Sequence, residues 1–231
     1  MKKFLLATVV LLGSISLANA ERFSLGVSVL GGEFSVDGAS ETFSGDHSSN
    51  TTSTKVVKKS SAEKEDATGA FYLGSVFAEF DVNDKFSIGA SYVPASEDTE
   101  ETENITNINQ STGNDAQATN KVKVSFEDLT TVYALAKINE NVYAKVGYVQ
   151  VEMITKENLA TGGAYGDDTL EGYTIALGYN YDLDGGMFVR GEATYMEIDG
   201  TSLTNTNDSN KSVSADGITG MGAAISIGKS F

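Results

Sequence analysis

Five charged residues occupy alternating positions in segments otherwise built from apolar and small side chains. They are Glu79, Lys85, Lys145, Arg190 and Glu192. In an extended strand each falls on the face opposite its apolar neighbours, because successive side chains point to opposite sides. Opposite charges that share a low-dielectric interior gain from pairing and hydrogen bonding. We therefore predict a charge network inside the protein, which either gates a path for ions or, as we favour, forms a plug of ion pairs.

The single histidine of the chain is His47, flanked by Asp46 and Ser48. A histidine beside a carboxylate and a hydroxyl can act as a general base when it is held within hydrogen-bond reach of a nucleophile. His47 lies in a segment rich in Ser and Thr, where no sequence feature would hold it. We predict no enzyme and no catalytic residue. The alternative, an enzyme at the rim of the molecule, depends on His47 alone.

Two charged stretches could bind ions. The acidic run at 97–103 has the carboxylates that hard divalent cations prefer, but it lacks the D-x-D-x-D-G spacing of a dedicated loop, so we predict a solvated segment with no metal and no cofactor. A basic cluster could meet lipopolysaccharide phosphates by charge attraction, although charge that merely solvates a loop is the favoured alternative. This cluster consists of Lys55, Lys58, Lys59 and Lys64.

The segments that position these residues alternate apolar and small or polar side chains, which is the period of a β-strand. Eight are present, near residues 22–36, 70–81, 85–92, 122–138, 142–148, 173–181, 187–195 and 217–231. In the fourth, Val132 and the other even positions compete with Tyr133 and Leu135 for the apolar face, and we favour the even set because it turns Lys137 inward. Long polar connections (37–69, 96–121, 155–169, 199–216) alternate with short turns (82–84, 139–141, 182–186).

This order predicts an all-β fold, an eight-stranded antiparallel transmembrane up-and-down β-barrel. A soluble lipocalin-like barrel also has eight strands, but its apolar side faces inward, and such barrels usually have tryptophan and disulfides. Charged-in and apolar-out is the better physical solution, because unpaired charges in hydrocarbon are costly. The chain has no cysteine and no tryptophan, and its net charge of −16 excludes nucleic acid as a partner.

The first twenty residues have the pattern of a cleaved export signal. Lys2 and Lys3 precede an apolar run at 4–12, and Ala18-Asn19-Ala20 forms an A-x-A site. We predict cleavage after Ala20, so residues 1–20 are a signal peptide and residues 21–231 are one barrel domain. The apolar run is too short to be a transmembrane helix.

The mature sequence resembles the small eight-stranded outer-membrane barrels of the OmpA, OmpX and opacity-protein type. The resemblance rests on the A-x-A site, the eight alternating strands, residues 141–148 (NVYAKVGY) and the terminal Phe231. It implies a location in the outer membrane, with membrane lipids and lipopolysaccharide as surroundings. It also implies that periplasmic chaperones and the barrel-insertion machinery receive the chain, with Phe231 as the insertion signal. Lys229 departs from the pattern, since that position is usually apolar, and it can snorkel to the interface.

The function that this pattern favours is structural and surface-exposed, with long acidic loops in contact with the environment. The alternative is a small porin that passes ions or small solutes. We expect a monomer, because a closed barrel leaves no strand edge that needs a partner.

Overall fold

The computed structural model describes residues 22–231 except 44–46, 52–53, 59–61, 96, 100, 111–114 and 161. The predicted signal peptide and its cleavage after Ala20 lie outside these residues and stay a prediction. The strands are β1 (Phe23–Phe43), β2 (His47–Thr51), β3 (Thr54–Lys58), β4 (Ala62–Asp81), β5 (Phe86–Tyr92), β6 (Glu97–Asp98), β7 (Thr102–Gln110), β8 (Asp115–Lys137), β9 (Val142–Leu159), β10 (Asp168–Asp182), β11 (Met187–Asn205) and β12 (Asp208–Ser230).

Eight of these strands form a closed antiparallel ring in the order β1, β4, β5, β8, β9, β10, β11 and β12. The ring closes where β1 pairs with β12, from Ser24 opposite Ser230 to Phe43 opposite Lys211. The predicted all-β, eight-stranded antiparallel up-and-down barrel is therefore confirmed. Closure satisfies the backbone groups of both terminal strands, which a barrel in lipid requires.

The polar connections contain more strand than their sequences indicate. β1 continues seven residues past the predicted end at Val36, and β4 begins at Ala62 instead of near Ala70. The polar segments also contain β2, which pairs with β3, and β7, which pairs with β3 and β8. The expectation of plain loops at 37–69 and 96–121 is wrong in this respect. Backbone ladders need no apolar periodicity, and the Thr-rich composition of these segments suits extended structure.

Three short turns connect strands at one end of the barrel, which we call the turn end; the opposite end is the loop end. In the first, the side chain of Asn83 accepts hydrogen bonds from the amides of Lys85 (2.9 Å) and Phe86 (3.0 Å). Asn139 does the same in the second turn, and in the third Gly185 and Gly186 have φ of 74° and 77°. The two turns capped by asparagine and the glycine turn set the register of the hairpins. Within the described residues, no helix has the length and apolar character needed to cross a membrane.

The side chains divide as predicted in the turn-end half of the barrel. On β8 the even set faces outward: Val132 is 52% exposed, whereas Tyr133 and Leu135 are buried. The outer face carries a continuous apolar surface, which a barrel presents to lipid. Its exposed members include Leu25, Val27, Val76, Ile88, Val146, Ile175, Leu177, Ile225 and Ile227.

In the loop-end half the division inverts. Glu33, Glu171 and Asp199 point outward and are exposed. The interior there is a hydrophobic cluster centred on Val151, Met153, Leu170 and Ile198, with Val124, Phe126, Leu129, Met196, Leu203 and Ile218 packed against it. This end of the barrel therefore has the apolar core and polar surface of a protein in water.

Candidate functional site

The predicted charge network lies inside the turn-end half of the barrel. Glu79 on β4 meets Arg190 on β11, with 2.7 Å between Oε1 and Nη1. Glu192, also on β11, meets Lys145 on β9, with 2.7 Å between Oε2 and Nζ. The four side chains are only 5 to 16% exposed. The structure thus brings together four of the five residues that the sequence singled out.

Two tyrosines connect the ion pairs. The hydroxyl of Tyr133 donates to Glu79 Oε1 and that of Tyr143 donates to Glu192 Oε1, each at 2.8 Å. The ring of Tyr133 lies under the Lys145 ammonium at 5.0 Å, and the ring of Tyr143 lies under the Arg190 guanidinium at 5.4 Å. The six side chains therefore form a closed circuit in which each cation contacts one carboxylate and the ring of one of the two tyrosines. We call this circuit the lumen network.

Further contacts hold Arg190 in place. Its Nε donates to Asn180 Oδ1 at 2.9 Å, and its guanidinium lies 4.3 Å from the centre of the Phe188 ring and 5.8 Å from that of Phe77. A planar guanidinium suits this site, because it stacks on rings and donates in its own plane at once.

Glycines explain how large rings fit into this narrow lumen. Four inward rings around the network each lie across a glycine that faces them directly on the neighbouring strand: Tyr133 across Gly89, Tyr143 across Gly178, Phe188 across Gly228 and Phe77 across Gly26. A Cβ added to Gly178 would lie 2.3 Å from the Tyr143 ring, and one added to Gly89 would lie 2.6 Å from the Tyr133 ring. The glycines thus fix where the two tyrosine hydroxyls point.

Lys85 does not belong to the network, so this prediction is wrong. It lies in the bend at 82–85 that precedes β5 and is exposed at the turn end. Strand alternation assigned it to the inner face, but β5 begins only at Phe86, so the alternation does not yet apply at Lys85. A cation that is paired at this end is Lys137 on β8, whose Nζ lies 3.5 Å from Asp81 Oδ2.

Tyr133, Tyr143 and Asn180 were not among the predicted members of the network. A signal was present, because Tyr143 shares the inner face with Lys145, and Asn180 lies on the small-residue face of its strand. Tyrosine is so common in strands that its type alone did not mark it as a partner for carboxylates.

The network separates two small polar cavities. One of about 90 Å³ lies on its loop side and is lined by Glu79, Lys145, Arg190 and Glu192 together with hydroxyl residues. The other, of about 100 Å³, lies on its turn side and is lined by Arg190, Tyr143 and Phe188. Arg190 lines both cavities, so its side chain stands between them.

The acidic run at the loop end is paired with lysines. Asp98 on β6 contacts Lys123, and its Oδ1 lies 3.0 Å from the Nζ of Lys156. The Lys123 ammonium, with Ser125 and Lys156, holds the pKa of the Asp98 carboxyl well below its usual range. Lys121 pairs with Glu101 at 2.8 Å and with Glu103. Among the described residues no three His, Cys, Asp or Glu side chains are placed to hold a metal ion.

Other residues named from the sequence lie at the ends of the barrel. His47 begins β2, where it pairs with Lys58; Lys55 and Lys58 are on β3 and Lys64 is on β4, whereas Lys59 lies outside the described residues. Phe231 is 48% exposed, and its amide donates to the carbonyl of Phe23 at 2.8 Å. The Nζ of Lys229 lies 5.2 Å from the centre of the Phe231 ring.

A closed antiparallel ring with an apolar belt outside and paired charges inside defines a transmembrane β-barrel of the outer-membrane class. Residues 4–220 match the family described as outer membrane protein beta-barrel domain. The chain belongs to this family, and its location is the outer membrane. No curated protein matches the chain.

Solved outer-membrane barrels are similar in fold along nearly their whole length. OprG from Pseudomonas aeruginosa has a TM-score of 0.38 and 14% identity, over 90% of this chain and 98% of that chain. Ail of Yersinia pestis, in complex with sucrose octasulfate, has a TM-score of 0.36 and 11% identity over 89% and 99%. The outer membrane protease OmpT from Escherichia coli has a TM-score of 0.36 and 9% identity over 94% and 99%. These likenesses concern the fold and carry no argument about activity.

Proposed function

We propose that the protein is a closed, non-enzymatic barrel rather than a pore. In this proposal the barrel anchors the β-ribbons of the loop end, which consist of β2, β3 and β7 and the loop-end parts of the barrel strands, at the cell surface. The observation that carries this proposal is the lumen network. Two acids and two bases pair with each other across the lumen, and aromatic rings fill the space around them. An eight-stranded barrel is only wide enough for its own side chains.

An ion that crossed the barrel would have to displace Arg190 or Lys145 from its carboxylate. Separating a buried pair leaves an uncompensated charge, at a cost of about 3–5 kcal/mol. By transition-state arithmetic such a barrier alone slows passage about 10²- to 10⁴-fold, before the ion's own dehydration is added. The network therefore acts as a plug and as an interior brace.

Single-channel conductance of the refolded protein in planar bilayers tests this function, once a mobility difference between unboiled and boiled samples has shown folding. We expect no conductance steps. A double variant, Glu79→Ala with Arg190→Ala, joins the two polar cavities and should admit small ions, which shows that the assay can detect an opened lumen. Discrete steps from the unmodified protein that change in Lys145→Met would overturn the plug and support the porin alternative.

The absence of enzymatic activity is part of the same proposal. The rim-enzyme alternative depends on His47, the single histidine of the chain, and a His47→Ala variant tests it. Lipid or peptide turnover by the unmodified protein that disappears in His47→Ala would refute the non-enzymatic role.

Lipopolysaccharide is the proposed partner of the ribbon at the loop end. The lysines at 55, 58, 59 and 64 supply positive charge in a chain with net charge −16. Charge attraction to phosphates should protect this ribbon from trypsin when lipopolysaccharide is added at low salt, and the protection should fade as salt screens it. Cleavage that lipopolysaccharide leaves unchanged would exclude this partner. We further propose export through the signal peptide, delivery by periplasmic chaperones, insertion with Phe231 as signal, and a monomeric state.

A further inference from the structure

The loop end of the lumen contains an apolar chamber of about 150 Å³. Its wall comes from seven parts of the barrel, and its side chains are mainly aromatic and branched. The principal ones are Phe34, Phe71, Phe126, Leu129, Met196 and Ile198. Barrel interiors in outer membranes are generally polar, so an apolar space of this size calls for an explanation of its own.

A strap of chain forms one side of the chamber. The strap consists of residues 93–95 and 97–99, which lie in the chain between β5 and β7. Its members Val93, Ala95, Asp98 and Thr99 line the space. The strap is fixed to β8, because the Val93 amide donates to the Leu129 carbonyl at 2.9 Å and the Thr99 amide donates to the Val124 carbonyl at 2.8 Å. The Asp98 carboxylate is turned to Lys123 and Lys156 and is neutralised there. The chamber therefore presents an apolar surface with little polar edge.

We propose that the chamber binds one small apolar molecule of about the size of a single aromatic ring. An apolar cavity of about 150 Å³ lined by Leu, Ile and Phe stays dry and takes up benzene, since a water molecule would need two to four polar partners. The lining here has the same chemical character and the same volume. The site lies above the lumen network and goes beyond the surface role proposed above.

The size of the space excludes larger occupants. The chamber shares four lining residues with the cavity on the loop side of the lumen network: Leu73, Val93, Leu129 and Met196. The lumen network therefore lies on the far side of that cavity from the chamber. A long acyl chain that extended from the chamber toward the lumen network would enter this cavity and contact Glu79 or Lys145. A compact hydrocarbon satisfies the chamber without disturbing either pair.

Methionine methyl groups provide an internal comparison for the test. Met196 lines the chamber, whereas Met221 is 67% exposed on the outer apolar face. With ¹³C-methyl-labelled protein in lipid nanodiscs, a toluene titration should shift the Met196 signal along a saturating curve. Toluene that only dissolves in the bilayer would shift Met221 in proportion to its concentration. A Met196 signal that follows the same unsaturated line as Met221 would overturn the proposal.

A pair of matched substitutions tests the chamber itself. Gly220 lines it, and a Cβ added there meets its nearest atoms at 3.8 Å, so Gly220→Leu extends into the space without a backbone clash. Gly191 is exposed on the outer face with nothing within 4 Å of an added Cβ, which makes Gly191→Leu the control. We expect Gly220→Leu to abolish the saturating shift and Gly191→Leu to retain it. Saturation that survives in a folded Gly220→Leu protein would refute the site, and the two-methyl comparison in the unmodified protein decides the matter if that variant does not fold.

Discussion

A double-mutant cycle on Glu79 and Arg190 tests the energetics of the lumen network. Glu79→Leu leaves the Arg190 guanidinium, whose side chain is 13% exposed, without a carboxylate. It also removes the acceptor of the Tyr133 hydroxyl. Removing one partner of a buried pair costs about 3–5 kcal/mol, because a buried charge stays behind. The reverse change, Arg190→Leu, leaves Glu79 charged and 5% exposed, so we expect a cost in the same range.

The double variant, Glu79→Leu with Arg190→Leu, should be much closer to the unmodified protein than the sum of the two single variants. Replacing a whole buried pair by apolar side chains is often neutral, since both desolvation costs disappear together. Two independent losses would add up to about 6–10 kcal/mol. We expect instead a total below about 4 kcal/mol, which includes a remaining penalty of about 1–3 kcal/mol for the unpaired Tyr133 hydroxyl.

The assay is the free energy of unfolding from urea titrations in lipid vesicles, with electrophoretic mobility as the measure of the folded fraction. Asp81 and Lys137 are the control pair, since their side chains are 35% and 38% exposed and 3.5 Å apart. Neutralising Lys137 alone, with Lys137→Met, keeps Asp81 as the acceptor of the buried Ser87 hydroxyl and should cost only about 0–1 kcal/mol. Additive losses at Glu79 and Arg190, or single losses as small as those of the control pair, would refute the view that these charges depend on each other.

Three further predictions follow from single contacts. Gly178→Val should displace the Tyr143 ring from its place over residue 178 and destabilise the barrel by about 1–3 kcal/mol in the same urea assay. A variant as stable as the unmodified protein would contradict the role given to the glycine. The pKa of Asp98 is lower in the folded than in the unfolded protein, so the Asp98 ion pairs stabilise the fold fully above the unfolded-state pKa. This stabilisation is lost as the pH falls through the folded-state pKa. Amide NMR shifts of Asp98 and Thr99 should hence stay constant from pH 7 down through the ordinary aspartate value, near 3.9, and change only well below it. A midpoint near 3.9 would refute the pairing. Phe231→Ala should slow barrel assembly in vesicles that contain the insertion machinery and leave spontaneous refolding in detergent unchanged. Assembly of the variant at the rate of the unmodified protein in both settings would contradict the role of Phe231 as insertion signal.

Much of the barrel could be predicted because lipid imposes a strict period of two. Leu25, Val27 and Ile227 had to lie on one face, and the small or charged residues between them then had to face the lumen. The same period located Glu79, Lys145, Arg190 and Glu192 on inner positions. It could not decide which of them pair, because the pairing depends on the stagger between strands that are far apart in the sequence.

The errors arose where the period does not operate. Lys85 precedes the first residue of β5, so side-chain alternation had no bearing on it. The ribbons beyond Val36 and before Ala70 are polar on both sides, and their strand structure follows from ladder hydrogen bonds that any sequence can make. Tyr133 and Tyr143 were overlooked because the meaning of an inward tyrosine depends on the glycine opposite to it, which only the register reveals.

The sequence of β11 indicates the apolar chamber once the position of the membrane boundary is known. Along β11 the inner positions change from Arg190 and Glu192 to Met196 and Ile198, while the outer positions change from Ala193 to Asp199. The period of two continues, but its polarity reverses near Tyr195. A reversal of this kind costs nothing where lipid gives way to water, because water favours polar side chains outside and apolar ones inside, and lipid favours the opposite. The two interior sites of this protein therefore follow from one strand pattern in two solvents, with the lumen network on the lipid side of the reversal and the chamber on the water side.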